Sequence, residues 1–547
     1  MVSNREISRL FSLYAELLLL HKTDERLSSL LSGASYRLRN LSDDVVSLSK
    51  KDLAKLFRPE LVKLIEELKR SANIEKLNQL IQLTPSGLFD MMRIRGLGGK
   101  KLSVLWHEGK IDTVDALLEA CKKNELTEIA GFGRKTQQNI IAAIENYRST
   151  KERFHLAFVS DDAKELEENL RKHFRTKMVS LCGEVRRQST TVAGIEVIVA
   201  IPARTFKSKI ARKLLVVQSS TATETSGHTL DEIPVVVYHV SKGDFYRELF
   251  IRTGSEEHVK KILKKSKAGS YDSEEAIYAK AKSKFIEPEM REDLAEWEFI
   301  RKKKELITID DIKGVVHNHT TWSDGVDSLP DFVSACKKLK YEYVVISDHS
   351  KNAHYAGGLK EDKLLKQLEE IDRLNKKLKP FKIFKSVECD ILVSGELDYS
   401  NEILAQLDLV IISIHQLLKM DEERATKRLI KAIEHPHTTI LGHMTGRQLL
   451  IRPGYPVNFK KVIDACAANN VVIEINANPY RLDMDWGHIP YALKKGVMIS
   501  VNPDAHSIDE IENIRWGVSA ARKGGLTKEM TWNAMGVREV EKWLRDN

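Results

Sequence analysis

Imidazoles and carboxylates recur in the C-terminal third of the chain, each just past a short apolar, β-branched run. They are His317, His319 and Asp324 in VVHNHTTWSDG, His349 in VVISDHS, Glu388 in KSVECD, His415 in VIISIHQ, His443 in ILGHMTG, and Asp504 with His506 in VNPDAHS. This mixture of donors suits zinc, manganese or iron, with magnesium a poorer fit. One ion takes about four to six ligands, so the set predicts a multinuclear site. Any one of these histidines alone reads as an ordinary core or surface residue; the full set at strand ends does not. Clustered cations lower the pKa of a bound water and neutralise phosphoryl oxygens. The chemistry expected is therefore hydrolysis of a phosphoester. Arg447, four residues past His443, reads either as a bidentate phosphate clamp or as a surface arginine. Asn476, Asn478 and Arg481 are further candidates for the same mouth. No other histidine is placed as a general base, so that role falls to water activated by the cations.

Those positions depend on the elements around them. From about Gly314, β-branched runs alternate with amphipathic helical segments. GVVHNHT precedes SLPDFVSACKKLK, YVVISDHS precedes EDKLLKQLEEIDRLNKKLK, and FKIFKSVECDIL follows. DLVIISIHQ precedes DEERATKRLIKAIE, and TTILGHM precedes VNFKKVIDACAANN. VVIEINANP precedes IPYALKKG, and VMISVNPDAH precedes SIDEIENIRWGVSAARKGG. The run of βα units predicts a parallel α/β barrel of seven strands, one short of the common eight. The carboxyl ends of barrel strands surround one mouth, so donors far apart in sequence converge there.

Composition sets the frame. With 547 residues the chain has room for three or four domains with ample core. It is 42% hydrophobic and 30% charged, as expected of a soluble globular protein. A net charge of +9 mildly favours a polyanionic partner. Cys121, Cys182, Cys336, Cys389 and Cys466 are odd in number, scattered and outside CxxC pairs, which points to a reducing compartment. Strand alternation turns Cys389 away from its neighbour Glu388. The N-terminus MVSNREISRL is too polar for a signal peptide, and the longest apolar runs fall far short of a membrane span. A cytoplasmic, nucleoid-associated protein without a membrane partner is expected.

Residues 1–80 read as helical throughout, in REISRLFSLYAELLLLH, DERLSSLLSGASYRLRNL, ELVKLIEELKR and IEKLNQLIQL. Two related segments follow, MRIRGLGGKKLSVLW and TEIAGFGRKTQQNIIAAI. In each, glycines (Gly96 and Gly98; Gly131 and Gly133) allow a tight turn before a helix opens. A helix N-terminus attracts anions. Lys100, Lys101, Arg134 and Lys135 add charge suited to DNA phosphates without sequence readout. Residues 151–308 read as an α+β domain with strands in FHLAFVS, TKMVSLCG, GIEVIVAIPA, KLLVVQSS and IPVVVYHVS.

HNHTTWSDG, SDHS, VECD, SIH, GHMTGR, EINANPYRLD and PDAH, in this order, resemble the PHP (polymerase and histidinol phosphatase) domain. The version fused to bacterial family X DNA polymerases is the most similar. The paired glycine turns resemble helix–hairpin–helix motifs. GEVRRQSTTVAGIEVIVAI and FIRTGSEEHVKKI resemble the palm of the same polymerases. The resemblance implies a multidomain chain: a helical lyase-type domain over 1–80, a helix–hairpin–helix domain over 81–150, a polymerase-like palm and thumb over 151–308, and a distorted (β/α)7 PHP barrel over 309–547. It also implies three divalent metals, manganese or zinc, with iron a further option. His317, His319, Glu388 and Asp504 would hold one, with Glu388 bridging to a second held by His415 and His443. Asp324, His349 and His506 would hold the third. Glu388 and Asp504, with Arg447, would carry the catalytic role. Met444 stands where relatives often have proline.

The palm departs from the family pattern. Gly194 and Glu196 stand in place of the aspartate pair, the third aspartate position falls near Val237, and Glu184 replaces a phosphate-binding serine. Two-metal nucleotidyl transfer needs those carboxylates. Glu196 then reads as a strand glutamate facing solvent. KLFRPELVKL also lacks the glycine turn expected of the first domain's own hairpin. The expected function is a 3′–5′ exonuclease or 3′-end-processing phosphoesterase in DNA repair, acting on gapped DNA or free 3′ ends, with a degenerate polymerase domain. The alternatives are a histidinol-phosphatase-type enzyme, a still-active family X polymerase, and a non-catalytic DNA-binding scaffold.

Overall fold

The computed structural model describes residues 4–547 apart from residues 40, 42–43, 72, 95, 130, 212–213, 230–231, 267–268 and 303. The chain divides into two compact units, Met1–Lys151 and Glu152–Asn547. Among the described residues no helix is long and apolar enough to cross a membrane.

The first unit is helical. Helices Asn4–Leu20, Glu25–Arg39, Lys50–Leu56, Pro59–Ser71 and Glu75–Leu83 occupy its first half. Residue 40, inside the expected second helix, lies outside the described residues. In KLFRPELVKL, Phe57 ends one helix and Pro59 opens the next, a first-turn position that suits proline. Helices Ser86–Met92, Gly99–His107, Val114–Lys122 and Arg134–Thr150 complete the unit. Their apolar stripes meet in one core that runs from Ile7 to Tyr147, across the expected division at 80/81.

The second unit opens with a small antiparallel pair, β1 (Phe154–His155) with β3 (Thr191–Val192). FHLAFVS is not a strand beyond His155. Helix Leu156–Phe174 begins there, because Leu156, Val159, Ala163, Leu166 and Leu170 form a buried stripe at helical spacing. A mixed sheet follows: β2 (Val179–Leu181), β4 (Ile195–Val199), β5 (Val216–Ser220), β6 (Glu224–His228) and β7 (Pro234–His239), in the order β2-β4-β7-β6-β5. Lys213, at the start of the expected strand KLLVVQSS, lies outside the described residues. Helices Phe245–Thr253, Glu256–Ser266 and Glu274–Lys280 form an adjoining helical layer with its own apolar core.

From residue 314 the strands are parallel. β8 (Gly314–Val315), β9 (Tyr343–Ile346) and β10 (Lys382–Lys385) form one sheet. β11 (Glu388–Asp390), β12 (Ile411–Ser413), β13 (Ile440–Leu441), β14 (Val472–Asn476) and β15 (Ile499–Asn502) form another. FKIFKSVECDIL, expected as one strand, is broken between β10 and β11, where it changes neighbours from β9 to β12. Parallel bridges His349–Glu388 and Asn318–Ala505 tie the two sheets at both edges. Helices such as Leu329–Lys338, Glu361–Leu378, Glu422–Ile433 and Phe459–Ala468 cover the outside, and Val344, Ile383, Ile412, Leu441 and Ile473 are buried in the core with them.

The α+β part and the parallel-stranded part share packing. Leu482, Trp516 and Ala520 join the core built from Leu156, Val159, Val197 and Val237. Nearby, the buried Lys523 ammonium donates to Glu292 Oε1 at 2.6 Å and to the Arg187 carbonyl at 2.8 Å.

Candidate metal centre

All nine expected donors converge at the carboxyl ends of the parallel strands. Glu388 is the hub. Its Oε1 lies 2.9 Å from His443 Nε2, 3.1 Å from His415 Nε2 and 3.2 Å from His317 Nε2. Its Oε2 lies 2.9 Å from His349 Nδ1 and 3.7 Å from His319 Nε2. Asp504 Oδ1 stands 3.2 Å from His319 Nε2 and 3.6 Å from His317 Nε2. Asp324 Oδ1 faces His506 at 3.5 Å and His349 at 3.6 Å. The ligand atoms group in four overlapping sets: His319–Asp324–His349–His506, His317–His443–Asp504, His317–His319–Glu388 and His349–Glu388–His415. His319 thus sits with the Asp324 group as well as with Glu388, and His317 with His443. The hub is fully buried, while Asp324 and His506 keep a third of their side-chain surface exposed and mark the open end.

Several layers of the chain hold this geometry. His317 and Asp504 adopt left-handed backbone, at φ 65 and φ 53, which turns the chain sharply past the strand ends. Such conformations cost about 1–3 kcal/mol each in non-glycine residues and cluster at functional sites. The loop carrying Asp324 hangs on Asp348, which accepts hydrogen bonds from the Thr320 and Ser323 backbone N–H groups and from both hydroxyls. Two further carboxylates orient the imidazoles. Glu474 accepts from His317 Nδ1 and Asp390 from His415 Nδ1, both at 2.5 Å. An imidazole that donates one N–H to a carboxylate presents its other nitrogen as a ligand. The sequence reading missed Glu474, Asp390 and Asp348. Glu388 with Asp390, and Glu474 with Asn476, are two residues apart on strands, so alternation puts each pair on one face. That signal marks Asp390 from Glu388 and Glu474 from Asn476.

The donor set fits cations. His317 Nε2, both ring nitrogens of His319 and Glu388 Oε2 are buried without a hydrogen-bonding partner. Buried polar atoms rarely stay so without a ligand. Burial opposes ionisation of Glu388, but His415, His317 and His349 outweigh it and hold the carboxyl well below its usual range. Asp504 behaves likewise, with His317, His319 and His506 overcoming burial. Burial also disfavours charge on His415, yet Glu388 and Asp390 raise it to about 10. His319 is pushed well down, by burial and then by His506 and His349. Ionised carboxylates and imidazole nitrogens thus face one another, where divalent cations can take the place of protons.

Other expected residues sit as follows. Arg447 donates from Nε to the Arg481 carbonyl at 2.9 Å, pairs with Asp485 Oδ2 at 2.5 Å, and also bonds the Leu482 carbonyl. Its guanidinium braces the loop after β14. The cation facing the donors is Arg481, whose Nε is 3.7 Å from Asp504 Oδ2. Asn476 Nδ2 donates to the same oxygen at 2.9 Å, and the Asn478 side chain accepts from the Tyr480 backbone. Tyr355, unremarked in the sequence, is exposed at the rim, its ring centroid 6.3 Å from that of His349. Cys389 is buried in the apolar core, which lifts its thiol to about 12.

In the mixed sheet, Glu196 on β4 does not face open solvent. It is half-buried, accepts from the Tyr238 hydroxyl at 2.9 Å and lies over Gly183. Val237 pairs with Val197 and is fully buried. A Cβ at Gly194 would lie 2.5 Å from the Pro234 carbonyl oxygen, so the backbone leaves no room there for an aspartate. Glu184 is paired with Arg153 at 2.8 Å and accepts from the Ala193 N–H at 3.0 Å. Arg186 and Arg291 close on Glu274.

The two glycine turns differ. Gly96 and Gly131 both adopt φ near +85 to +89, which only glycine does readily. Gly98 and Gly133 cap the helices that follow. At the first turn, the Gly99 N–H donates to Glu16, Lys100 pairs with Glu25 at 2.9 Å, and Lys101 donates to the Gly96 carbonyl at 3.0 Å. At the second, Gly131, Gly133, Arg134 and Lys135 are exposed, and nothing lies within 4 Å of a Cβ placed at either glycine.

Known proteins match in both halves. Residues 89–146 match the SAM-like helix-hairpin-helix tandem family. The DNA polymerase/3′-5′ exonuclease PolX of Bacillus subtilis (strain 168) is 34% identical over 537 residues, which cover 93% of each chain. The C-terminal part is similar to a "probable phosphatase" of Thermoanaerobacter sp. (strain X514), 27% identical over 241 residues, 42% of this chain and 93% of that one. It is also similar to the "probable phosphatase YcdX" of Escherichia coli O81 (strain ED1a), 26% identical over 174 residues, 30% of this chain and 64% of that one.

Proposed function

This chain belongs to the bacterial PolX family, and from that premise we propose that its parallel-stranded domain is a PHP barrel that hydrolyses phosphodiesters at DNA 3′ ends. The observation that carries the reading is the buried Glu388 carboxylate ringed by five imidazoles. One carboxylate with both oxygens in reach of separate imidazole groups is built to bridge cations. Three divalent ions, manganese or zinc, match the overlapping ligand sets and the orphaned ring nitrogens. When bound, such ions supply Lewis acidity toward phosphate and activation of water.

The chain's own residues do the rest. Glu474 and Asp390 fix the rings of His317 and His415. Asp348 fixes the loop that brings Asp324 to the open end. Arg481 adds positive charge beside Asp504, where a phosphate would approach. Arg447, bound to the loop after β14, positions Arg481 by bonding its carbonyl. The second hairpin, with Arg134 and Lys135 exposed, supports DNA contacts that follow phosphates and not sequence.

We read the palm as a retained scaffold. Gly194 has no room for a carboxylate, Val237 offers none, and Glu196 is engaged by Tyr238. The deciding experiment is hydrolysis of 5′-labelled oligonucleotides beside p-nitrophenyl phosphate and histidinol phosphate, with manganese and with chelator. Manganese-dependent shortening of DNA from the 3′ end is expected. Turnover of histidinol phosphate with intact DNA would favour a small-molecule phosphatase, and inertness toward all substrates would leave a scaffold.

A further inference from the structure

Helix Glu422–Ile433 packs Ala425, Leu429, Ala432 and Ile433 into the barrel core, and Arg428 stands on the same inward stripe. It is 4% exposed. Helical spacing calls for an apolar side chain there, and a buried charge is costly unless its donors are satisfied. The guanidinium ends on backbone carbonyls rather than on a carboxylate. Nε donates to Leu392 at 2.8 Å, Nη1 to Gln416 at 3.1 Å and Nη2 to Ile391. Met420 Sδ lies 3.6 Å from Nη1. Ile391 and Leu392 follow β11, and Gln416 follows His415 past β12.

The knot extends to a third loop. Gln416 Nε2 donates to the Asn352 carbonyl at 2.8 Å, and Asn352 Nδ2 donates to Asp390 Oδ2 at 2.7 Å. Asp390 in turn orients the His415 ring. Arg428 thus closes a circuit through β9, β11, β12 and the turns past them. These segments carry His349, Glu388 and His415, which form one of the four ligand groups.

We propose that Arg428 is a positioning residue for the cation bound between Glu388 and His415. It touches no ligand atom. It ties the turn after β11 to the turn after β12, and so keeps Asp390 and His415 in register. A guanidinium suits this task because its planar fork reaches several carbonyls at fixed angles, whereas a lysine ammonium is a compact point charge. The donors around Asp324 and His317 hang on Asp348 and Glu474 instead. The effect of Arg428 is therefore confined to one ion. The inference rests on the reading of the barrel as a cation-dependent phosphoesterase. Arg428 also lines an open groove of about 420 Å³ with Ser394, Asp421 and Arg424, so a small ion from solvent can reach its place.

The test uses full-length protein freed of metal and titrated with manganese, with the free ion followed by its electron paramagnetic resonance signal. Arg428→Ala should bind one manganese about 10–100-fold more weakly and the others as in wild type. Guanidinium chloride, well below denaturing concentrations, should restore that site, and sodium chloride at the same ionic strength should not. Arg428→Lys should stay weak. Asn352→Ala, which cuts the knot at a half-buried position, should weaken the same ion. Unfolding midpoints in chelator show which variants are folded, and Asn352→Ala decides if Arg428→Ala is not. A wild-type isotherm in any of these variants that is folded, equal weakening of every site, or no recovery with guanidinium would overturn the proposal. Failure of the phosphoesterase reading shows itself separately, as a wild type that binds manganese yet leaves DNA intact.

Discussion

Replacing Glu474 by glutamine changes one buried oxygen to an NH2 group and leaves the shape intact. The carboxylate takes four hydrogen bonds. Oε2 accepts from His317 Nδ1 at 2.5 Å and Asn502 Nδ2 at 2.8 Å. Oε1 accepts from the His443 backbone N–H at 3.0 Å and Asn476 Nδ2 at 3.1 Å. An amide has one oxygen, so either orientation leaves two buried donors facing an NH2 group. Each such loss costs about 1–3 kcal/mol, or about 2–6 kcal/mol in all. For a domain of this size that lowers the unfolding midpoint by at least about 4 °C. Either orientation also disturbs a ligand, through the His317 ring or the His443 backbone. Loss of such support typically weakens metal binding about 10–100-fold. The assay is equilibrium dialysis against buffered manganese or zinc with elemental analysis, beside thermal unfolding in chelator. A Glu474→Gln protein with the midpoint and metal affinity of the wild type would refute the idea that this carboxylate holds the centre together.

Glu388→Gln should lose more than one ion and nearly all hydrolysis, whereas His435→Ala, whose ring bonds Asn401, should retain its metal; elemental analysis and rates decide, and full metal in Glu388→Gln would remove the bridge. Arg134 and Lys135 changed together to alanine should weaken DNA binding and flatten its logarithmic salt dependence by about two units, while Lys100 and Lys101 changed likewise should matter less, because Glu16 and Glu25 already occupy the first turn. Equal effects in a salt titration would contradict the difference between the hairpins. A gapped primer–template with four nucleotides and magnesium or manganese, in a Glu388→Gln background, should show no extension; extension abolished by Glu196→Ala would show a catalytic palm. Stability should fall in acid through Glu274. Burial opposes its charge, but Arg186 and Arg291 outweigh burial and hold its folded pKa below the ordinary 4.5. Its contribution is complete above that value and disappears as pH falls through the lowered folded one, so unfolding midpoints between about pH 5 and 3 should drop more steeply in wild type than in Glu274→Gln.

The nine donors were legible because each follows a β-branched run, and parallel strands deliver their ends to one place. Their supports were not. Glu474 and Asp390 look like ordinary strand positions, and only the two-residue alternation from Asn476 and Glu388 distinguishes them. Helix Leu156–Phe174 was misread at its start because FHLAFVS is too short to separate strand from helix; the stripe that decides it extends to Leu170. The closing of the first hairpin by Glu16 joins residues 83 apart in sequence, and no local pattern signals it. The crowding at Gly194 depends on where Pro234 runs in a neighbouring strand. Residue types and periods reveal which groups meet at strand ends; pairings across distant segments require the packed chain.

Leu482, Trp516 and Ala520 reach into the apolar core of the palm, and the Lys523 ammonium ends on its backbone and on Glu292. This constrains descent more than chemistry. A lineage could discard every nucleotidyl-transfer ligand from the palm by single substitutions, yet could not delete the domain in one step. Deletion would expose a tryptophan and a leucine and strand a buried cation, at a cost of several kcal/mol before any repair. Loss of the joint's residues would thus have to precede loss of the domain.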